Sequence, residues 1–307
     1  MWVGGNAIYL DVEGVSTISL VSVSAPHEFD VSSARFVPTQ DGVYLLFLLP
    51  GIEYTLDLEP GGKRVVVQPN PPTGGLGKCF SLELFFNYID GNYPDSVIQQ
   101  VMMHSSSNYL FTRDRSVELW ARLFRHGLFA LDSDCGFVAI PNPKNRFCFD
   151  LTPESVRKWN IKERFLDDFE FVVSTDSEKL RSSLSTCRQM HSSGNWITPR
   201  FMDNVTEMMC RREFGIDFFV FELIEKSSKK IGSISIGYRF GTSFTDFTAC
   251  TPIRDKRSVG KLLLKAEHDY LRSLGVKLWY LGLELPYMKA LGGGSVILDR
   301  RQFHTKW

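Results

Sequence analysis

Between residues 216 and 283 the sequence sets out three apolar runs, one long amphipathic helix and a fourth run, and this order limits the possible fold more than any other feature. Phe218–Ile224, Lys230–Phe240 and Ser243–Cys250 read as strands, the last two joined through Gly241-Thr242 as an antiparallel hairpin. Over Asp255–Ser273 the residues Val259, Leu262, Leu263, Ala266, Tyr270 and Leu274 recur with a 3.6-residue period, and Gly275 stands just past the end. On that wheel His268 faces outward. Val276–Leu283 follows as a further strand, with a short helix at Pro286–Leu291 and a last strand at Val296–Leu298. A meander, a helix and a returning strand make an α+β domain built on a mixed sheet.

Upstream the pattern is different. Ala7–Val12, Ser16–Val23, Ala34–Val37, Val43–Leu49, Tyr54–Leu58 and Arg64–Gln68 are short alternating runs divided by Asp41-Gly42, Pro60-Gly61-Gly62 and similar breaks. Residues 1–70 are therefore expected to form a small all-β module, a sandwich, without any grouping of catalytic side chains and suited to docking. Pro- and Gly-rich residues 71–78 read as a linker, leaving 79–307 as the second domain. Within it, Ser116–His126 forms a helix closed by Gly127. Thr152-Pro153 reads as a cap with Pro in the first turn, and Thr175 with Glu178 has capping-box spacing. Thr198-Pro199 opens a helix carrying Met202, Val205 and Met209 and ending near Gly215.

Composition excludes several classes. With 43 % apolar and 23 % charged residues the chain is an ordinary globular one. Net charge is zero, yet residues 1–70 hold 3 basic against 8 acidic side chains and residues 251–307 hold 11 basic against 5 acidic. That asymmetry points to an anionic partner at the C-terminal end. The six cysteines are scattered, with no CxxC and no Cys/His cluster, as expected of free thiols and not of a zinc site. No run is long enough to span a bilayer and no targeting segment is visible, so a cytoplasmic protein without membrane contact is expected. No histidine pairs with Ser, Cys or Asp at a catalytic spacing.

Several segments, in order, resemble the leucyl/phenylalanyl-tRNA–protein transferase family. Asn195-Trp196-Ile197-Thr198-Pro199 is similar to that family's "TWITP", Gly127-Leu128-Phe129 to its "RGIFPW" region, and Arg300-Arg301-Gln302-Phe303 to its "PRREF". The order of Gly241-Thr242-Ser243-Phe244, the turn Arg254–Ser258, the long helix, Leu278-Trp279-Tyr280 and Ala290-Leu291-Gly292 also fits. The resemblance covers roughly residues 108–307. It implies an acetyltransferase-like (GNAT) α+β fold and transfer of Leu or Phe from aminoacyl-tRNA to the N-terminal amine of a protein or peptide, with neither metal nor tightly held cofactor. Such a reaction needs a group to take the amine proton, polar stabilisation of an oxyanion, and an apolar pocket for the side chain.

The departures from the family are as informative. Where the family has Asp and Gln in "IDCQ", this chain has Tyr280 and Gly282. Strand alternation puts Tyr280, Gly282 and Glu284 on one face, so Glu284 is a candidate for the missing carboxylate. Asp246 stands near the family's Glu in "GESMF". The expected catalytic group is thus Glu284, Asp246 and Tyr280, with Trp196, Tyr238, Phe247, Gly282 and Tyr287 around the substrate and Arg254, Lys256, Arg257, Ser258, Arg300 and Arg301 on tRNA phosphate. A second reading is a non-catalytic relative that binds RNA or protein within a larger assembly, consistent with Tyr280, Gly282 and the extra module. A third, resting only on fold-level analogy, is an acyl-CoA N-acetyltransferase; Arg257-x-x-Gly260 is a fragment of the pyrophosphate loop of acetyltransferases, with Leu262 where Gly or Ala is expected.

Overall fold

The computed structural model describes residues 6–10, 17–24, 35–38, 44–48, 53–59, 63–67, 89, 91–105, 107–132, 138–155, 159–191, 196–282 and 294–307. The chain divides into two compact units, Met1–Asp114 and Arg115–Trp307. The first contains β1 (Asn6–Leu10), β2 (Thr17–Ser24), β3 (Arg35–Pro38), β4 (Tyr44–Leu48), β5 (Glu53–Glu59) and β6 (Lys63–Val67), then α1 (Asp95–His104) and β7 (Tyr109–Thr112). The first six strands match the six alternating runs, each within two residues. They form two three-stranded antiparallel sheets, β1-β4-β3 and β2-β5-β6. The linker expected at 71–78 lies outside the described residues.

The second unit is built on α2 (Val117–Arg125), β8 (Val138–Pro141), β9 (Asn145–Asp150), β10 (Phe169–Ser174), α3 (Ser177–Met190), α4 (Pro199–Cys210), β11 (Ile216–Glu225), β12 (Ile231–Phe240) and β13 (Ser243–Cys250). It continues with α5 (Val259–Ser273), β14 (Leu278–Tyr280), β15 (Ser295–Asp299) and α6 (Arg300–Lys306). Seven strands make one sheet in the order β10-β11-β12-β13-β14-β9-β15. All neighbours are antiparallel except β13 and β14, which run parallel because α5 carries the chain back between them. This meander, crossover helix and parallel return is the acetyltransferase-like mixed-sheet α+β architecture expected from the order of the runs.

Strand alternation sends successive side chains to two different cores. Phe219, Phe221 and Phe244 pack with Val259, Leu262 and Trp279 on the α5 face. Phe218, Tyr238 and Phe247 meet Phe124 of α2 and Phe201 of α4 on the other face. Each fully buried aromatic contributes on the order of 2–3 kcal/mol of burial. The predicted stripe of α5 is displaced: Glu267 and His268 are buried while Leu274 is 37 % exposed. His268 is thus a core residue, its ring edge-on to Phe149 and Trp159, and not an outward one. Strand β9, between β14 and β15 in the sheet, and edge strand β10 were not apparent from alternation. β9 is buried on both faces, so Phe147, Cys148 and Phe149 are all covered and no period-2 signal survives.

Helix ends follow local chemistry. Ser116 Oγ accepts from Leu119 N, and Thr198 Oγ1 accepts from Phe201 N, as their caps predict. Thr152-Pro153 opens only a single 3₁₀ turn, Pro153–Ser155. Helix α5 starts at Val259 and not at Asp255, because Asp255 Oδ1 accepts from Arg257 N and folds those residues into a turn. The cap of α3 is Asp176 and not Thr175: Asp176 Oδ1 accepts from Lys179 N at 2.8 Å. Asp176→Ala is therefore expected to lower unfolding free energy by about 1 kcal/mol in urea denaturation. Thr175→Ala should change it by less than about 0.5 kcal/mol; the reverse ranking would contradict the assignment.

Candidate functional site

One irregularity in β13 creates the site. Ile236 pairs with Thr248 but Gly237 pairs with Asp246, so Phe247 is an extra residue in the strand. Asp246, two residues after Phe244, lies on the α5 face; Phe247 turns into the opposite aromatic core, and the extra residue keeps Thr248 on that side as well. A Cβ on Gly237 would strike Thr245 O and the Phe244 ring, so only glycine fits opposite the bulge. Strands β13 and β14 pair only through Ser243–Thr245 and Leu278–Tyr280. Beyond that point a cleft of about 930 Å³ opens, lined by Asp246–Thr251, the start of α5 and Leu281. It lies at the carboxyl ends of the two parallel strands, where open α/β sheets place ligands.

The first turn of α5 forms one wall. Ser258 sits before it in the left-handed region at φ 57° and its side chain makes no cap bond. The leading N–H groups of the helix, at Val259 and Gly260, therefore keep their partial positive charge toward the cleft. A Cβ at Gly260 would lie 2.8 Å from Thr251 Oγ1, so glycine allows this turn to close on the end of β13.

Asp246 forms the other wall. Its Oδ2 accepts from Trp279 Nε1 at 3.0 Å, whereas Oδ1 is sealed and makes no hydrogen bond. Burial pushes its carboxyl up to about 6, although the neighbouring Glu267 and Ser235 side chains and the Trp279 N–H pull the other way. Behind it Glu267 of α5 is fully buried, and burial, followed by the charge of Asp246, raises its carboxyl well above the usual range. Ser235 of β12 is buried at the cleft wall with its Oγ unbonded. Glu267 and Ser235 were not singled out in the sequence. The signal available for Glu267 was its spacing, four residues after Leu263 and four before Leu271.

The other expected site residues are only partly brought together. Phe247, Arg254 and Ser258 line the cleft, with Lys261 and His191. Lys256 is exposed in the turn before α5. Arg257 is not available to an anion: it is ion-paired with Asp255 and Glu225, both at 2.6 Å, and lies over the Phe169 ring. Arg300 is buried and donates from Nε to Asn142 O at 3.1 Å; burial, then Arg146, lowers its pKa to about 10. Arg301 is exposed on α6, a helix that packs on β9 and β15 and not beside α5. The basic residues thus do not form one surface.

Tyr280 does not reach the cleft. It is buried against Phe303 and beneath Arg146, with Cys148, on the face away from Asp246. Tyr238 is also a core residue, its hydroxyl donating to Phe124 O and Leu128 O. Trp196 packs against Phe129, Phe201 and Phe247 in the same aromatic core, and is not a cleft-lining residue. Gly282, at φ 95°, lies just past the lining residue Leu281 and accepts at its carbonyl from Phe147 N. Glu284 and Tyr287, with the short helix expected at Pro286–Leu291, lie outside the described residues. Among the described residues no three His, Cys, Asp or Glu side chains are grouped to hold a metal, and no helix is long and apolar enough to cross a membrane.

No protein-family model and no curated protein matches the sequence. Among solved structures, FemX is similar at 8 % identity over 87 % of this chain and 86 % of its own, with a TM-score of 0.36. A tandem GNAT protein from the clavulanic acid biosynthesis pathway is similar at 11 % identity over 81 % and 83 %, TM-score 0.34. L-PGS from Bacillus licheniformis is similar at 10 % over 82 % and 70 %, TM-score 0.32. Likenesses this distant add nothing to what the strand order shows.

The raised carboxyls have a consequence for stability. Between its ordinary value of 3.8 and about 6, Asp246 holds more proton in the folded chain than in the unfolded one. Folding stability therefore falls as pH rises through that window. Glu267, raised further, extends the fall upward. Asp246→Asn removes the Asp246 contribution. The Tm of this variant minus that of wild type should grow from pH 4 to pH 7 in thermal unfolding; a difference independent of pH would contradict the raised carboxyl.

Proposed function

We propose that this protein is an aminoacyl-tRNA–protein transferase that moves an apolar amino acid such as leucine or phenylalanine onto a protein N-terminal amine, in the cleft between Asp246 and the start of α5. The observation that carries the reading is Asp246, a carboxylate tuned to about 6 in the wall of a cleft whose facing wall is an uncapped helix start. A general base works best when its pKa lies near the working pH. The resemblance of the Trp196–Pro199, Gly127–Phe129 and Arg300–Phe303 segments to the transferase family supports the choice of donor.

In this reading the acceptor amine attacks the ester carbonyl at the tRNA 3′ end. A C–N bond forms, the C–O bond to the ribose breaks, and Asp246 takes the amine proton and returns it to the departing oxygen. The first-turn amides of α5, with Arg254 and Lys261 at the cleft and the exposed Lys256 in the turn before the helix, favour the phosphates of the donor. Phe247 supplies apolar surface for the transferred side chain.

A second reading, a non-catalytic relative that binds RNA or protein, is favoured by one observation. The two family polar positions are occupied by Tyr280, buried on the far face, and by Gly282. Incubation with leucyl- or phenylalanyl-tRNA and a peptide bearing an N-terminal basic residue separates the two. Wild type should transfer, and Asp246→Asn should lose about 10²–10⁴-fold in rate. Replacing Arg254, Lys256 and Lys261 with Ala should flatten the salt dependence of tRNA binding by about one in slope per lost contact. RNA binding without transfer would favour the second reading, and turnover with acetyl-CoA would overturn both.

A further inference from the structure

We propose that Glu267 is a positioning residue for Asp246: its carboxyl, held neutral inside α5, donates to Asp246 Oδ1 and leaves Oδ2, fixed by Trp279, as the anionic oxygen offered to the cleft. This rests on Asp246 being the proton acceptor. Glu267 is fully buried, with no cation paired to it among the described residues; Lys265 of the same helix pairs with Asp269 instead. Both Glu267 oxygens, Asp246 Oδ1 and Ser235 Oγ are sealed from solvent, and none makes a hydrogen bond of ordinary geometry where the side chains stand. Two such carboxyls, each influencing the other, would be costly if both were ionised, because two like charges would share one apolar shell. One proton between the carboxyls removes that repulsion and satisfies the pair, and the Ser235 hydroxyl can serve either carboxyl.

The shifts agree with this arrangement. Glu267 lowers Asp246, and Asp246 raises Glu267, the directions expected when a neutral acid stands beside a carboxylate. The surroundings hold little other charge. Ser233 and Ser235 face the cleft from β12, and Trp279 comes from β14. His268 of α5 packs on Phe149, Trp159 and Trp279 with its Nδ1 3.3 Å from Asp269. Arg254, Asp255 and Lys261 stand at the cleft, with His191 and Cys250 on its far side. During transfer the amine proton reaches Asp246 Oδ2, the pair passes from one negative charge to none, and the same proton leaves on the tRNA oxygen.

The Trp279 indole N–H reports on the pair directly. Its ¹⁵N–¹H cross-peak, assigned by its loss in Trp279→Phe, should titrate in wild type with a midpoint near the Asp246 value of about 6. Glu267→Gln keeps a neutral donor and should leave the midpoint within about half a pH unit, whereas Glu267→Leu removes the donor and should raise it by about one pH unit or more. An unmoved midpoint in Glu267→Leu, or an equal movement in both variants, overturns the proposal. Infrared spectra give a second readout that needs only the conservative variant. Wild type at pH 7 should show the carbonyl stretch of a protonated carboxyl that vanishes in Glu267→Gln, and its absence from wild type overturns the proposal. Neither readout involves tRNA. If both hold in a protein that transfers nothing, the proton pair stands and the catalytic role of Asp246 falls.

Discussion

The single extra residue in β13 is the constraint on which the rest depends. Without it, strict alternation would carry Asp246 and Thr248 to the same face and leave Phe247 on the other, and the register with β12 would continue unbroken. With it, Asp246 keeps to the α5 side beside Trp279, while Phe247 and Thr248 both serve the opposite side. The parallel pairing of β13 with β14 covers three residues and ends just before the bulge, and the cleft lies beyond it. One local irregularity thus turns Thr248 away from the side of the carboxylate, at the point where the cleft begins.

The cores on either side hold that irregularity in place. Phe244 and Trp279 anchor the strands beneath α5, and Phe201, Phe218 and Tyr238 receive Phe247 from the other face. A carboxyl among these rings is unstable when ionised, and among the described residues no cation pairs with it. Such a group is a common mark of a working site, because a packed protein otherwise excludes it. The buried Glu222 of β11 makes the contrast plain. Lys179 pairs with it at 2.7 Å and Ser183 approaches at 3.4 Å, so its role is to hold α3 on the sheet.

Much of the fold could be read in the residues, and less of the site. The long helix is visible because it has one wet face and one dry face, which leaves a period; the hairpin is visible from its two runs about Gly241-Thr242, and the six N-terminal strands from alternation in the sequence. Strand β9 has no wet face and so no period. Asp246 was legible as a carboxylate out of place in a strand, and the family resemblance pointed to it as well. Glu267 was hidden by the habit of reading a glutamate on a helix as solvated. Tyr280 and Trp196 show the opposite error: an aromatic in a suggestive motif is more often needed by a core. Arg257 and Arg300 were read as cations in search of an anion, whereas the structure gives Arg257 carboxylates and gives Arg300 a buried carbonyl.

The most direct test of the account is the pH dependence of single-turnover aminoacyl transfer, taken as the ratio of the wild-type rate to that of Asp246→Asn so that titration of the acceptor amine cancels. A proton-accepting Asp246 predicts a ratio that rises with pH and is half-maximal near 6. A ratio that stays near one, or that does not change between pH 5 and pH 8, would contradict it.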